Sequence, residues 1–221
     1  MILVHLQGPH YSRKKFHSQN VLGVANFDLT FAYVLTGWEG SAHDSRVYAD
    51  ARTKGLPLLA NKYYLGDGGY GLSKYMLTSY RGVRYHLVEY AANGIGPANY
   101  KELFNLRHSS LHNCVERLYG ITKNRFPVLK KMSPYEYEFQ CDIIQSCFLI
   151  HNFVRLNQLY EDEFYNVEVV NNPNAADDDD DEDEDEDEGG LNMQEAKIWR
   201  NNMALAMWAQ YQLNMAQFNA H

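Results

Sequence analysis

Twelve consecutive acidic residues, Asp177 to Glu188, most constrain what this chain can fold into. A block of like charge repels itself and carries nothing apolar to bury, so it stays outside any core. It therefore divides the 221 residues into a body that can fold, spanning 1–160, an acidic linker over 161–190, and a C-terminal stretch, 191–221. It also disguises the charge of the body. The whole chain is formally −8, yet without those 12 acids, 16 remain against 20 Lys and Arg, and the rest is +4.

In the body, apolar residues dominate from Val21 to Val34, with Asn26-Phe27-Asp28 between them as turn residues. That pattern predicts a hairpin of two buried strands. Gly37 to Ser41 then breaks the strand, and a helix from Ser41 or Asp44 to Lys54 follows, either residue being able to cap it. Lys62–Gly66 reads as a short strand that stops at Asp67, where Gly68-Gly69 lets the backbone turn away. A helical piece at Ser73–Tyr80, a strand at Tyr85–Val88 and a loop at Ala91–Pro97 are expected next. Leu103, Leu106, Leu111, Val115, Leu118 and Ile121 predict a long helix from Asn99 to Arg125, ended by Pro127. Phe139, Ile143, Ile144, Cys147, Phe148, His151 and Val154 predict a second one within 136–160, with that stripe inward. The alternation of strands and helices implies a mixed α/β sandwich.

After the acidic run, Trp199, Met203, Met207, Tyr211 and Met215 recur every four residues, which suits an amphipathic helix that docks on something. No window reaches the ~18 apolar residues of a membrane span, and no membrane role is expected. Cys114, Cys141 and Cys147 make no Cys-x-x-Cys pair, so reduced thiols in the nucleus or cytoplasm are the simplest reading.

Two acids stand out for chemistry: Asp67, at a strand end before two glycines, and Glu116, on a helix that also carries Arg107, His108, His112, Arg117, Lys123 and Arg125. Carboxylates beside a basic helix suit Mg²⁺ or Mn²⁺ at a nucleic-acid phosphate, because hard cations take carboxylate, water and phosphate oxygens. The bland readings are a turn-forming Asp and a solvated helix Glu. His108, His112 and Glu116 share a helix face, but they lack the His-Glu-x-x-His order of a zinc site. Asp44 is a rival acid that a helix cap, or a salt bridge to Arg46, explains more cheaply. His151-Asn152 reads as a satisfied core pair. Nucleotide triphosphatase, serine hydrolase and zinc-finger motifs do not occur.

Taken in order, Ser-Gln-Asn-Val-Leu (18–22), Asn-Phe-Asp (26–28), Gly-Trp-Glu-Gly-Ser-Ala-His-Asp-Ser-Arg-Val (37–47), Tyr-Tyr-Leu-Gly-Asp-Gly-Gly-Tyr (63–70), Tyr-Arg-Gly-Val-Arg-Tyr-His-Leu (80–87), Lys-Glu-Leu-Phe-Asn-Leu-Arg-His (101–108), Val-Glu-Arg-Leu-Tyr-Gly-Ile-Thr-Lys-Asn-Arg-Phe (115–126) and Leu-Ile-His-Asn-Phe (149–153) resemble the PIF/Harbinger group of DDE transposases and its domesticated nuclease relatives. The resemblance implies an RNase H-like fold in which three acids hold two divalent metals that cleave and join DNA strands. Asp67 would be the second acid and Glu116 the third. The first stands in that family on the opening strand, in an Asp-Gly-Thr-His-like motif, whereas here no Asp precedes Asp28. The chain thus resembles a catalytic domain lacking its first strand and first acid, and the resemblance makes a Myb-like DNA-binding partner plausible.

Two functions compete. One is a metal-dependent DNA endonuclease, impaired unless Asp28 or Asp44 moves in beside Asp67; the other is an inactive remnant that binds DNA or protein. The acidic run either screens the basic helix or serves as a solubilising linker.

Overall fold

The computed structural model describes residues 2–5, 19–84, 96–131, 135–158 and 190–218. Among the described residues five strands, β1 (Ile2–His5), β2 (Gln19–Ala25), β3 (Phe31–Glu39), β4 (Tyr64–Leu65) and β5 (Met76–Leu77), form one sheet in the order β3-β2-β1-β4-β5. β1 runs antiparallel to β2 and parallel to β4, and β4 is parallel to β5. Around it lie α1 (Asp44–Thr53), α2 (Tyr100–Arg125), α3 (Tyr137–Leu156) and α4 (Gly190–Phe218). The α/β class is as the sequence implied.

Strand alternation assigns the two faces. Val21 and Ala25 of β2, Leu65 of β4 and Leu77 of β5 pack with Phe104, Leu118 and Phe148 of α2 and α3. Their neighbours Leu22, Val24, Tyr64 and Met76 pack on the other side with Val47 and Ala51 of α1. Every residue of β2 is buried, as expected of a strand covered on both faces.

The expected hairpin forms, with its turn at 26–30: Asn26 N–H donates to Thr30 O at 2.8 Å, and Asp28 Oδ1 accepts from both the amide and the hydroxyl of Thr30. β3 does not break at Gly37 but runs to Glu39. The pairing shifts between Asn20↔Trp38 and Leu22↔Leu35, and Gly37 takes φ +95° there, so the glycine forms a bulge instead of a break. The helix expected at Ser73–Tyr80 is corrected: Met76 and Leu77 form β5, paired with Tyr64 and Leu65. Nor did the sequence assign β1, at the centre of the sheet. The strand expected at 85–88, most of the 91–97 loop and the 161–190 linker lie outside the described residues.

α2 is capped by Asn99, whose side chain accepts from the Lys101 and Glu102 amides. Most of the expected α3 stripe faces inward, but Phe139 is 52 % exposed and packs on Tyr135 beyond the sheet. The helix after the acidic run docks on the body itself. Trp199, Met203 and Met207 pack against the α2 side of the core, Ala204 is fully buried, and the stripe ends before Met215, which is 43 % exposed. Arg200 donates to the carbonyls of Thr78 and Ser79 and lies 4.1 Å from the Tyr80 ring centroid. No helix among the described residues is long and apolar enough to cross a membrane, and all three cysteines are free thiols.

Two helix asparagines act as strand surrogates. Asn152 of α3 accepts from Phe31 N–H and donates to Phe31 O, both at 2.8 Å. Asn105 of α2 accepts from Tyr80 N–H and donates to Tyr80 O and Val83 O. Because Asn105 is fully buried, its replacement strands backbone groups away from water. Asn105→Ala should lower stability by about 2–4 kcal/mol, from the bonds lost and the groups left bare. Urea denaturation checks this; an unchanged midpoint would contradict the role.

Candidate metal-binding acids at the end of β4

Tyr64 and Leu65 end at Gly66, which has no room for a side chain because Met76 Sδ and the Tyr70 ring fill that space. The chain then leaves the sheet in a turn, with Tyr70 N–H donating to Asp67 O. Asp67 Oδ1 accepts from Gly69 N–H at 2.9 Å, which fixes the carboxylate over its own turn. Arg81 donates to Gly68 O at 3.1 Å and braces the same loop.

Asp44 comes to this loop from α1. His43 is the N-cap residue of α1, with no side-chain cap bond, so the capping role expected of Ser41 or Asp44 is not the one observed. Instead, a Cβ placed on Gly69 would lie 2.6 Å from Asp44 Oδ2 and 3.3 Å from Asp67 Oδ1. Both carboxylates thus approach the same glycine, and Asp44 Oδ2 occupies the place that a side chain at 69 would need. Asp28, the other substitute acid, is far away: Ala25 aligns with Ile2 and Ile2 with Leu65, so the 26–30 turn and Asp67 leave the sheet at opposite ends.

Tyr70, at the end of this turn, is 1 % exposed, its ring edge-on to Tyr48 of α1 at 6.2 Å between centroids. Its hydroxyl is buried and has no hydrogen-bond partner among the described residues. Burial, then the charges of Asp67 and Asp44, hold its pKa well above the usual phenol range, so it stays a neutral donor.

Glu116 is half-exposed on α2, with Oε1 3.9 Å from His112 Nδ1. Among the described residues no three His, Cys, Asp or Glu side chains converge as a metal cluster. The basic residues of α2 are also dispersed. His108 and His112 are 3 % and 6 % exposed and stack on each other inside the protein. His108 Nε2 meets Leu77 O at 3.2 Å, and burial lowers its pKa. Their burial takes both histidines off the surface expected to meet phosphate. They continue the apolar stripe through Phe104 and Val115, a phase visible in the sequence.

Arg125 Nη1 donates to His151 Nδ1 at 3.1 Å. Since a guanidinium cannot accept, Nδ1 is the acceptor and Nε2 carries the proton donated to Leu29 O at 2.9 Å. The core pair His151-Asn152 is thus satisfied, and Arg125 points into the α2–α3 junction. Arg107, Arg117 and Lys123 remain half-buried; Arg107 and Lys123 project about 160° apart around α2. Burial, then the neighbouring charge of Lys130, lowers the Lys123 pKa.

A family model described as DDE superfamily endonuclease matches residues 4–152, well over half of the chain. The chain belongs to the DDE superfamily endonucleases. The chain is also similar to the protein named "Putative nuclease HARBI1", 28 % identical in Homo sapiens and 27 % in Bos taurus, each over 149 residues that cover 65 % of this chain and 39 % of the relative. It therefore spans about two fifths of the length of these curated relatives. No solved structure gives a significant match. The matched span contains Asp44, Asp67 and Glu116, and α4 lies beyond it. The resemblance to transposase-derived DDE nucleases is borne out.

Proposed function

We propose that this chain is the core of a transposase-derived, divalent-metal-dependent DNA endonuclease that hydrolyses phosphodiester bonds in the nucleus, with its activity below that of a three-acid site. The observation that carries this is the position of Asp67, just past the end of β4 in a loop fixed by its own hydrogen bonds, inside a span matched by the DDE endonuclease family. A mixed sheet covered by helices on both faces supports the RNase H-like reading. The strand at 2–5 carries Ile, Leu, Val and His but no carboxylate, which supports impairment.

The donor chemistry fits the metal. Asp67, with Asp44 at the same loop, offers hard carboxylate oxygens without thiolate or imidazole, a donor type that suits Mg²⁺ or Mn²⁺. When bound, such an ion polarises phosphoryl oxygens and acidifies water. The chain's own part is to hold Asp67 in one rotamer through Gly69 N–H, to brace the loop through Arg81, and to keep Tyr70 protonated. That no three potential metal ligands converge among the described residues favours a second reading, a remnant that binds DNA without cutting it, alone or beside a Myb-like partner.

Incubation with supercoiled plasmid in Mg²⁺, against EDTA, separates the two. Nicking that disappears in EDTA supports the endonuclease. Retention of DNA without nicking, weakening steeply between 50 and 200 mM salt as phosphate contacts do, selects the remnant.

A further inference from the structure

We propose that the outer face of α3 is a self-association surface: two copies of this chain pair there, helix antiparallel to helix across a two-fold axis, as a homodimer. The inference needs neither metal nor DNA and stands apart from the endonuclease reading.

The polarity of α3 is inverted for a surface helix. From Ile143 to Leu156, the polar side chains other than Ser146 reach back to the body. Gln145 donates to the Thr36 hydroxyl at 2.9 Å, His151 bonds Leu29 O, Asn152 bonds the Phe31 backbone, and Arg155 donates to Asp28 O at 2.9 Å. What remains outside is apolar: Leu149, Ile150, Phe153 and Leu156 are 69 %, 50 %, 61 % and 70 % exposed. A surface helix ordinarily turns its charges to water and its apolar stripe to the core, and a helix that is apolar on both sides is ordinarily buried.

The area suits a dimer. Together with Phe139, nearer the start of the helix, these side chains leave roughly 500 Å² of mostly apolar surface in water, a patch of the size that marks an interaction site. Pairing the face with itself removes about twice that, and the surrounding rim brings the total into the ~1,200–2,000 Å² of a stable interface.

The layout matches its own image. Ser146 and Phe153 are seven residues apart, on one line along α3, and Leu149 and Ile150 flank the midpoint between them. A two-fold axis through that midpoint seats Phe153 of each copy on the small Ser146 of the other, the reciprocal contact that a closed dimer requires. The same axis opposes the helix dipoles favourably. It also sends the exposed acids of the first turns to opposite ends, with the Asp142 positions of the two copies roughly 20 Å apart along the axis at ~1.5 Å per residue. Between them the face carries no charge to repel a second copy.

Sedimentation velocity of the full chain tests this. At about 10 μM, within the range of affinities that interfaces of this size reach, the parent should sediment at twice 25.6 kDa. Leu149→Glu and Phe153→Glu should each weaken association by about tenfold or more, because each sets an unpaired charge inside the dimer. Leu213→Glu, on an α4 side chain that is 66 % exposed, should leave the dimer unchanged. The parent's Tm should rise with chain concentration, and that of the two α3 variants should not. A parent that stays monomeric to about 50 μM overturns the proposal and leaves the face to a different protein. So does a dimer that withstands both α3 substitutions, or one that Leu213→Glu weakens as much as they do. Should Phe153→Glu fail to fold, Leu149→Glu, at the more exposed position, decides by the same outcomes.

Discussion

Asp67→Ala is expected to reduce Mg²⁺-dependent nicking of supercoiled DNA by about a hundredfold or more, to the level seen in EDTA. Even groups that merely support a metal ligand change affinity or activity by ~10–100-fold when removed, and Asp67 is the acid to which the loop, Gly69 N–H and Arg81 are all fitted. Members of such a site act as a unit, so the remaining acids should not compensate. Asp28→Ala is the matching control. Asp28 serves the β2–β3 turn at the far end of the sheet, and its loss should leave nicking intact at a cost of about 1 kcal/mol in stability. Equal nicking by the parent and Asp67→Ala would remove Asp67 from the chemistry.

A chain ending at Gly189 is expected to lose its cooperative unfolding transition. Without α4, the surfaces that Trp199, Met203, Ala204 and Met207 cover become wet, and Thr78 O, Ser79 O and the Tyr80 hydroxyl lose Arg200 and Asn201. Burial of three large side chains in part, with these bonds, amounts to about 5 kcal/mol, the low end of what holds a whole domain together. A broad thermal transition with dye binding to exposed apolar surface should result. Deleting 177–188 alone, which contains no apolar residue, should leave the transition sharp. A truncated chain that melts within a few degrees of the full one would show that α4 is dispensable.

What could be read from the sequence was whatever repeats locally. The α2 and α3 stripes, the Asn26–Asp28 turn and the Trp199–Tyr211 face are periodic patterns, and each corresponds to an element or a contact. β5 has two residues and no pattern of its own; it exists because β4 pairs beside it and Asn105 and Arg200 hold the chain that follows. The histidines of α2 look like surface charge, yet their spacing from Phe104 places them on the apolar face. Asp67 announced itself through its glycines. Its neighbour Asp44 did not, since a helix-start Asp looks the same whether it caps, pairs or meets a loop 23 residues later, and only the packing of α1 on the sheet decides between these.

Arg200 clamps the carbonyls of Thr78 and Ser79 across 122 and 121 residues of sequence. At ~5–20 residues per second of synthesis, a ribosome needs roughly 6–25 seconds after making β5 before the residue that secures it exists. The acid-bearing loop beside β5 is therefore made early and braced late. A nascent chain can hold its hairpin and α1 well before the segment after β5 is secured, so the emergence of α4 sets when this edge of the sheet is complete.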